Sequence, residues 1–150
     1  MSSFSIYVSW RRETPDFNVK TFSRDHLWRL AGGQIVRGSS APDYSGNPEM
    51  SNPEEALLAA LSSCHMLTFL AIAAIRKLVV DSYEDEPVAE LGKNDQGKMM
   101  VARMILRPRV TFGGTTTPDE DTVRGLHRKA KENCFVGNSL LTQVTLEPRF

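Results

Sequence analysis

The sequence predicts an α+β fold: a single domain in which antiparallel sheets surround one long buried central helix, with a second, amphipathic helix near the end. Three observations carry this. The chain opens on alternating apolar residues, its middle holds a long apolar run free of glycine and proline, and the remainder switches from alternation to helical period and back. A chain of 150 residues suits one domain, residues 1–150, with no internal repeat or linker.

The elements follow in order. Phe4, Ile6, Val8 and Trp10 alternate with smaller or polar residues, which predicts a strand with one buried face. After a turn at Pro15-Asp16, residues 17–23 and 34–39 predict two more strands, and the turn-rich stretch SAPDYSGNPEMS (40–51) predicts a loop. Asn52 can cap a helix, Pro53 suits its first position, and Glu54 and Glu55 favour the positive end of its dipole. That helix runs towards Leu78 and is apolar nearly all round, so burial on all sides is expected. Residues 79–91 and 98–112 predict strands joined by the turn Asn94–Gly97. Thr117-Pro118-Asp119-Glu120-Asp121 opens a second helix, whose Val123, Leu126 or His127, Ala130 and Cys134 share one face. Gly137-Asn138 ends it, and Leu140, Thr142, Val144 and Leu146 alternate in a last strand.

Charge narrows the function. Eighteen basic residues balance eighteen acidic ones, which argues against nucleic acid or an anionic membrane as partner. The opening MSSFSIYVSWRRE lacks the pattern of a secretory signal, and the nearly apolar run 66–75 is too short to span a bilayer, so a cytoplasmic protein is expected. Thiols stay reduced there, which leaves Cys64 and Cys134 as inert core residues or a redox pair. Ser62, Ser63, His65 and Thr68 surround Cys64 with polar groups, and Cys134 ends a helix where the backbone can move. A reactive thiol beside a mobile partner suits two-step thiol chemistry. No metal is expected, because His26, His65, His127 and the cysteines match no ligand spacing. A cysteine hydrolase using Cys64 and a histidine base lacks a supporting oxyanion loop or nucleophile elbow. The acidic run 81–86 is expected to be a solvated strand edge.

The segment NPEEALLAALSSCHML (52–67) resembles the central helix of the OsmC/Ohr family, the osmotically inducible and organic hydroperoxide resistance proteins. Its Asn-Pro-Glu is followed ten residues after the glutamate by the reactive cysteine, the spacing of Glu54 and Cys64. CFVGNSLLTQVTLEP (134–148) resembles the family's resolving cysteine, turn and last strand. RDHLWRLAGGQIVRGSSAP (24–42) is similar in spacing to the stretch holding the active-site arginine. The resemblance implies a thiol-dependent peroxidase acting on organic hydroperoxides. Cys64 would be the nucleophile and Cys134 the resolving thiol, Arg24 would stabilise the thiolate, and Glu54 would orient Arg24. It implies no cofactor, a dithiol reductant of dihydrolipoyl type, and an intertwined homodimer. Two departures, His65 and the Ser-Arg-Asp-His setting of Arg24, suggest a less typical branch. Leu67, Phe69, Phe135 and Trp28 are candidates for a pocket taking the alkyl group, or for the core. On a straight helix, ten residues separate Glu54 from Cys64 by about 15 Å, so a broken helix or a glutamate from a second chain is needed. The alternative is a non-enzymatic stress or ligand-binding protein that keeps the fold.

Overall fold

Eight strands and three helices follow one another along residues 1–150, all of which the computed structural model describes. They fall into two compact units, Met1–Ala56 and Leu57–Phe150.

The first unit is built on a three-stranded antiparallel meander. Its strands are β1 (Ile6–Ser9), β2 (His26–Leu30) and β3 (Ile35–Gly38), in that spatial order. Gly33 takes φ 83° in the turn between β2 and β3, where a side chain would be strained. The expected buried face of β1 is open: Ile6, Tyr7 and Val8 are all more than half exposed. Residues 17–23 form a turn and not the expected strand. The Asn18 carbonyl accepts from the N–H groups of Thr21 and Phe22, and its side chain accepts from Lys20. That local bonding outcompetes pairing with a neighbouring strand. The expected loop 40–51 is present, with a short 3-10 turn at Pro42–Tyr44. A side chain at Gly46 would strike the Ser40 carbonyl, so only glycine fits there.

Helix α1 (Pro53–Ile75) starts and stops on identifiable chemistry. Asn52 Oδ1 accepts from Glu55 N at 2.9 Å while Glu55 Oε2 accepts from Asn52 N at 3.1 Å, a reciprocal capping box. At the far end Lys77 adopts φ 59°, Lys77 N donates to Ala74 O, and Leu78 N donates to Ala73 O. This is a Schellman stop with lysine at the usual glycine position. Within the chain the helix buries a single stripe, Leu61, His65, Phe69 and Ala73, every fourth residue. The burial expected on all sides is therefore incomplete in one chain, and Leu67 and Ile75 stand exposed. The 23-residue helix, which contains an 18-residue stretch of mean hydropathy 1.9, is also long and apolar enough to cross a bilayer, although its stripe packs as core.

In the second unit, each of the two long strands expected from the sequence is broken by a proline. β4 (Val79–Glu84) and β5 (Val88–Lys93) flank Pro87, while β6 (Met99–Leu106) and β7 (Arg109–Gly113) flank Pro108. Proline has no N–H for a ladder, so each break lets the chain change sheets. β4 pairs with β7, and β5 pairs with β6 around the expected Asn94–Gly97 turn. Asp85 lies in the first break, where Ser62 Oγ donates to it at 2.6 Å and Arg107 N at 2.7 Å. Asp85 is thus a tie between elements, while Asp81, Ser82, Glu84 and Glu86 of the same run are exposed as expected. Helix α2 (Glu120–Asn133) is capped by Asp119, which accepts from Thr122 N. Its expected inner face is correct: Val123, Leu126, His127, Ala130 and the following Cys134 are all buried. Helix α2 ends earlier than expected, at Asn133. After Cys134 one more turn, α3 (Phe135–Asn138), carries the helical run to its expected end at Gly137-Asn138, before β8 (Gln143–Leu146) runs parallel to β6.

Two core clusters result. One joins Phe69 and Ala73 of α1 to Val123, Leu126 and Ala130 of α2, under Tyr83 and Phe112. The other joins Leu61 to Met104, Leu106 and Cys134, with Cys64 packed against it. The two cysteines therefore sit at the edge of a core, where one can be dry and the other reachable.

Candidate active site

Cys64 lies mid-way along α1, one position before the buried stripe reaches His65. It is half-buried, whereas Cys134 is 1% exposed. Cys134 occupies the junction of α2 and α3 with extended backbone, φ −74° and ψ 114°. The break turns the first N–H groups of α3 towards sulfur. Gly137 N donates to Cys134 Sγ at 3.3 Å, and the N–H groups of Val136 and Phe135 are offered to Cys64.

This arrangement separates the two thiols electrostatically. Burial alone pushes the Cys64 thiol up. Hydrogen bonds from the Cys134 thiol, the Val136 and Phe135 N–H groups and the Thr68 hydroxyl more than offset it, and the net shift is downward. Thr68 Oγ1 donates to the Cys64 carbonyl at 2.8 Å, and the same proton can turn to the sulfur when it ionises. Cys134 moves the opposite way, to about 11, through burial first and then its bond to Cys64. One thiol is thus biased to ionise and is reachable; its hydrogen-bonded neighbour is held protonated and dry. That is the polarity a nucleophile and a resolving thiol require.

A small cavity of about 90 Å³ adjoins Cys134, walled by Leu61, His65, Lys131 and Asn138 among others. Larger hollows lie elsewhere: one of about 370 Å³ between β7, α2 and the C-terminus, and an open one of about 730 Å³ on the first unit's sheet. The small one touches the thiol chemistry and these two larger ones do not, so size is no guide to the site here.

The family is settled by the sequence comparison, in which residues 46–149 match the family described as OsmC-like protein. The chain belongs to the OsmC-like family. An OsmC-like protein of unknown function from Vibrio cholerae has the same fold, with TM-score 0.95 and 42% identity over 99% of this chain and 100% of that one. An organic hydroperoxide resistance protein from Elizabethkingia anophelis superposes with TM-score 0.73 at 14% identity, over 99% and 94% of the two chains. The uncharacterised Bacillus subtilis protein YmaD is 24% identical over 129 residues, 83% of this chain and 84% of its own.

Within this OsmC-like chain the remaining expected residues fall as follows. Glu54 is relieved of the capping role by Glu55, and its Oε2 is buried with no hydrogen-bond partner. Arg24 donates from Nη1 to the Phe22 carbonyl and from Nη2 to the Val19 carbonyl, and stacks 3.8 Å over the Phe22 ring. Of the pocket candidates, Phe69 is fully buried core, Trp28 is half-buried on β2, and Leu67 and Phe135 are exposed.

Sequence reasoning missed the partner of His65. His65 Nε2 lies 3.0 Å from His127 Nδ1, with the rings stacked 5.3 Å apart at 7° and both residues 1% exposed. Burial drives both pKa values down, to about 4 for His65 and about 3 for His127, with the Lys131 charge adding to the first. The only signal in the sequence was two histidines on apolar helices, where a buried imidazole needs some partner; which partner it is depends on how the helices pack.

Proposed function

We propose that the protein is a thiol-dependent peroxidase reducing organic hydroperoxides to alcohols. The observation that carries this is the polarised thiol pair, with an accessible Cys64 of lowered pKa bonded to a buried Cys134 of raised pKa. The Cys64 thiolate attacks the terminal peroxide oxygen, the O–O bond breaks, and the alkoxide leaves with a proton as alcohol. The resulting sulfenic acid condenses with Cys134, releasing water and forming a disulfide. An external dithiol of dihydrolipoyl type returns both thiols. The hydroperoxide resistance protein of like fold agrees with this reading.

Glu54 and Arg24 complete the proposal. A carboxylate oxygen buried without a partner is costly, and a guanidinium would satisfy it with paired donors. Arg24 has five N–H donors and spends one from each of its two terminal nitrogens on its own loop, so others stay available for Glu54 and the thiolate. Since α1 runs unbroken from Pro53 to Ile75, Glu54 and Cys64 lie about 15 Å apart along it. The glutamate serving each Cys64 therefore comes from a second copy, in an intertwined homodimer. Leu67 and Phe135, both exposed in one chain, would receive the alkyl group.

Peroxide titration tests the reading. One equivalent of cumene hydroperoxide per chain should consume both thiols within seconds to minutes, and organic peroxides should be clearly better substrates than hydrogen peroxide. Thiols that survive the titration would leave the chain a non-enzymatic member of its family. Equal use of hydrogen peroxide would remove the apolar pocket from the proposal.

A further inference from the structure

The buried histidine pair is not used by the chemistry above, yet it lies between two cavities. His65 forms part of the wall of the inner, 90 Å³ cavity beside Cys134, a space large enough for water. His127 forms part of the wall of the outer, 370 Å³ cavity, lined also by Arg109, Phe112, Glu120 and Arg149. The 3.0 Å contact between Nε2 of one ring and Nδ1 of the other bridges them. His127 Nε2, the ring nitrogen not turned to His65, is buried with no hydrogen-bond partner. A neutral imidazole carries one donor and one acceptor nitrogen, so two in series can pass a proton without either becoming charged.

We infer that His65 and His127 form a proton relay that protonates Cys134 when the dithiol opens the Cys64–Cys134 disulfide. The inference rests on the peroxidase reading only in taking that disulfide to be the resting oxidised form. The need is chemical. In the opening step a thiolate of the dithiol bonds to Cys64 sulfur and the Cys64–Cys134 bond breaks, leaving its electron pair on Cys134. That sulfur is closed off from bulk solvent, and its thiol pKa of about 11 marks the anion as a poor leaving group. Protonation as it departs removes the difficulty. Cys134 takes a proton from water in the inner cavity, which takes the Nδ1 proton of His65. His65 Nε2 then takes the Nδ1 proton of His127, and His127 Nε2 takes one from water in the outer cavity. The attacking thiol has already released a proton to solvent, so the balance closes with Cys134 as a thiol. His127 Nε2 is buried and unpartnered, so its lone pair is free to accept that proton from the side of the outer cavity.

Other charged or titratable groups face the pair. Tyr83 of β4 presents a buried hydroxyl without a partner, and burial raises its pKa, so it cannot supply the proton at neutral pH. Lys131 of α2 also lines the inner cavity and donates from Nζ to the Val144 carbonyl at 2.7 Å. It is the rival donor.

The test forms the disulfide with diamide, so peroxide reactivity does not enter. Reduction by excess dihydrolipoamide is then followed in wild type, His65→Gln, His127→Gln and Lys131→Met. Glutamine can keep a hydrogen bond but relays no proton. Both histidine variants should slow reduction at least about tenfold, within the reach of positioned proton transfer. Peroxide oxidation of the reduced variants should change little. Unchanged reduction in the histidine variants, or a loss found only in Lys131→Met, overturns the relay. Should the variants not fold, wild-type reduction in deuterated water decides: a normal solvent isotope effect supports proton transfer in the step, and its absence overturns it. If diamide closes no disulfide, relay and resolving role fall together. If peroxide fails where diamide succeeds, only the peroxidase reading falls.

Discussion

At the scale of single residues, the site turns on two sulfurs made unlike by their surroundings. Cys64→Ser should abolish peroxide reduction without unfolding the chain, because the side chain is half-buried and changes little in volume. Cys134→Ser should still be oxidised once, then stop at a sulfenic or higher acid detectable by mass. Equal, partial losses from both would contradict the division of roles. Alkylation by iodoacetamide gives an independent reading. The Cys64 profile should have its midpoint below that of a free thiol, while Cys134 stays unmodified at neutral pH. The histidine pair has its own signature. Both folded pKa values lie below the ordinary 6.5, so the unfolded chain binds more protons as pH falls. Their contribution is complete above about pH 6.5 and is lost as pH drops towards 4, with a slope approaching about 2.7 kcal/mol per pH unit for two protons. Urea midpoints at pH 7, 6 and 5 would measure it, and a His65→Gln/His127→Gln double variant that unfolds with the same pH slope would sink the assignment.

At the scale of elements, α1 depends on its ends. Asn52→Ala removes an acceptor from the capping box and should cost about 1 kcal/mol in denaturant stability. Lys77→Gly should stabilise by about 1 kcal/mol, because glycine takes the left-handed stop without strain. A destabilised Lys77→Gly would mean the lysine side chain matters more than its backbone. Element existence was legible where a chemical signal marked it: Asn52-Pro53, Thr117–Asp121 and Asn94–Gly97 all lie at the boundaries they announced. It failed where competition is local or tertiary. Asn18 folds residues 17–23 back on themselves, and Pro87 and Pro108 divide strands whose apolar patterns run through them. At the site, the cysteines could be read because their flanking motifs are linear in sequence. The His65–His127 contact could not, since a pairing 62 residues apart exists only once the two helices are packed.

At the scale of the molecule, one chain leaves much apolar surface open, notably Ile6, Tyr7 and Val8 on β1 and Leu67 and Ile75 on α1. Apolar faces of this kind mark association surfaces, which agrees with the proposed dimer. The sharpest test joins assembly to chemistry. If each site takes Cys64 from one chain and Glu54 from the other, consider a heterodimer of Cys64→Ser and Glu54→Ala chains, isolated through two different affinity tags. One of its sites lacks both residues, and the other has the native cysteine and the native glutamate. Such a heterodimer should keep about half the wild-type peroxidase activity per dimer, even though the Cys64→Ser parent is inactive and the Glu54→Ala parent is impaired. If both residues of a site came from the same chain, one site would lack the cysteine and the other the glutamate. Activity would then equal the mean of the two parents. A heterodimer no more active than that mean rejects the shared site and leaves the orphaned Glu54 carboxylate to some other partner, while the thiol chemistry of Cys64 and Cys134 stands or falls on its own titration.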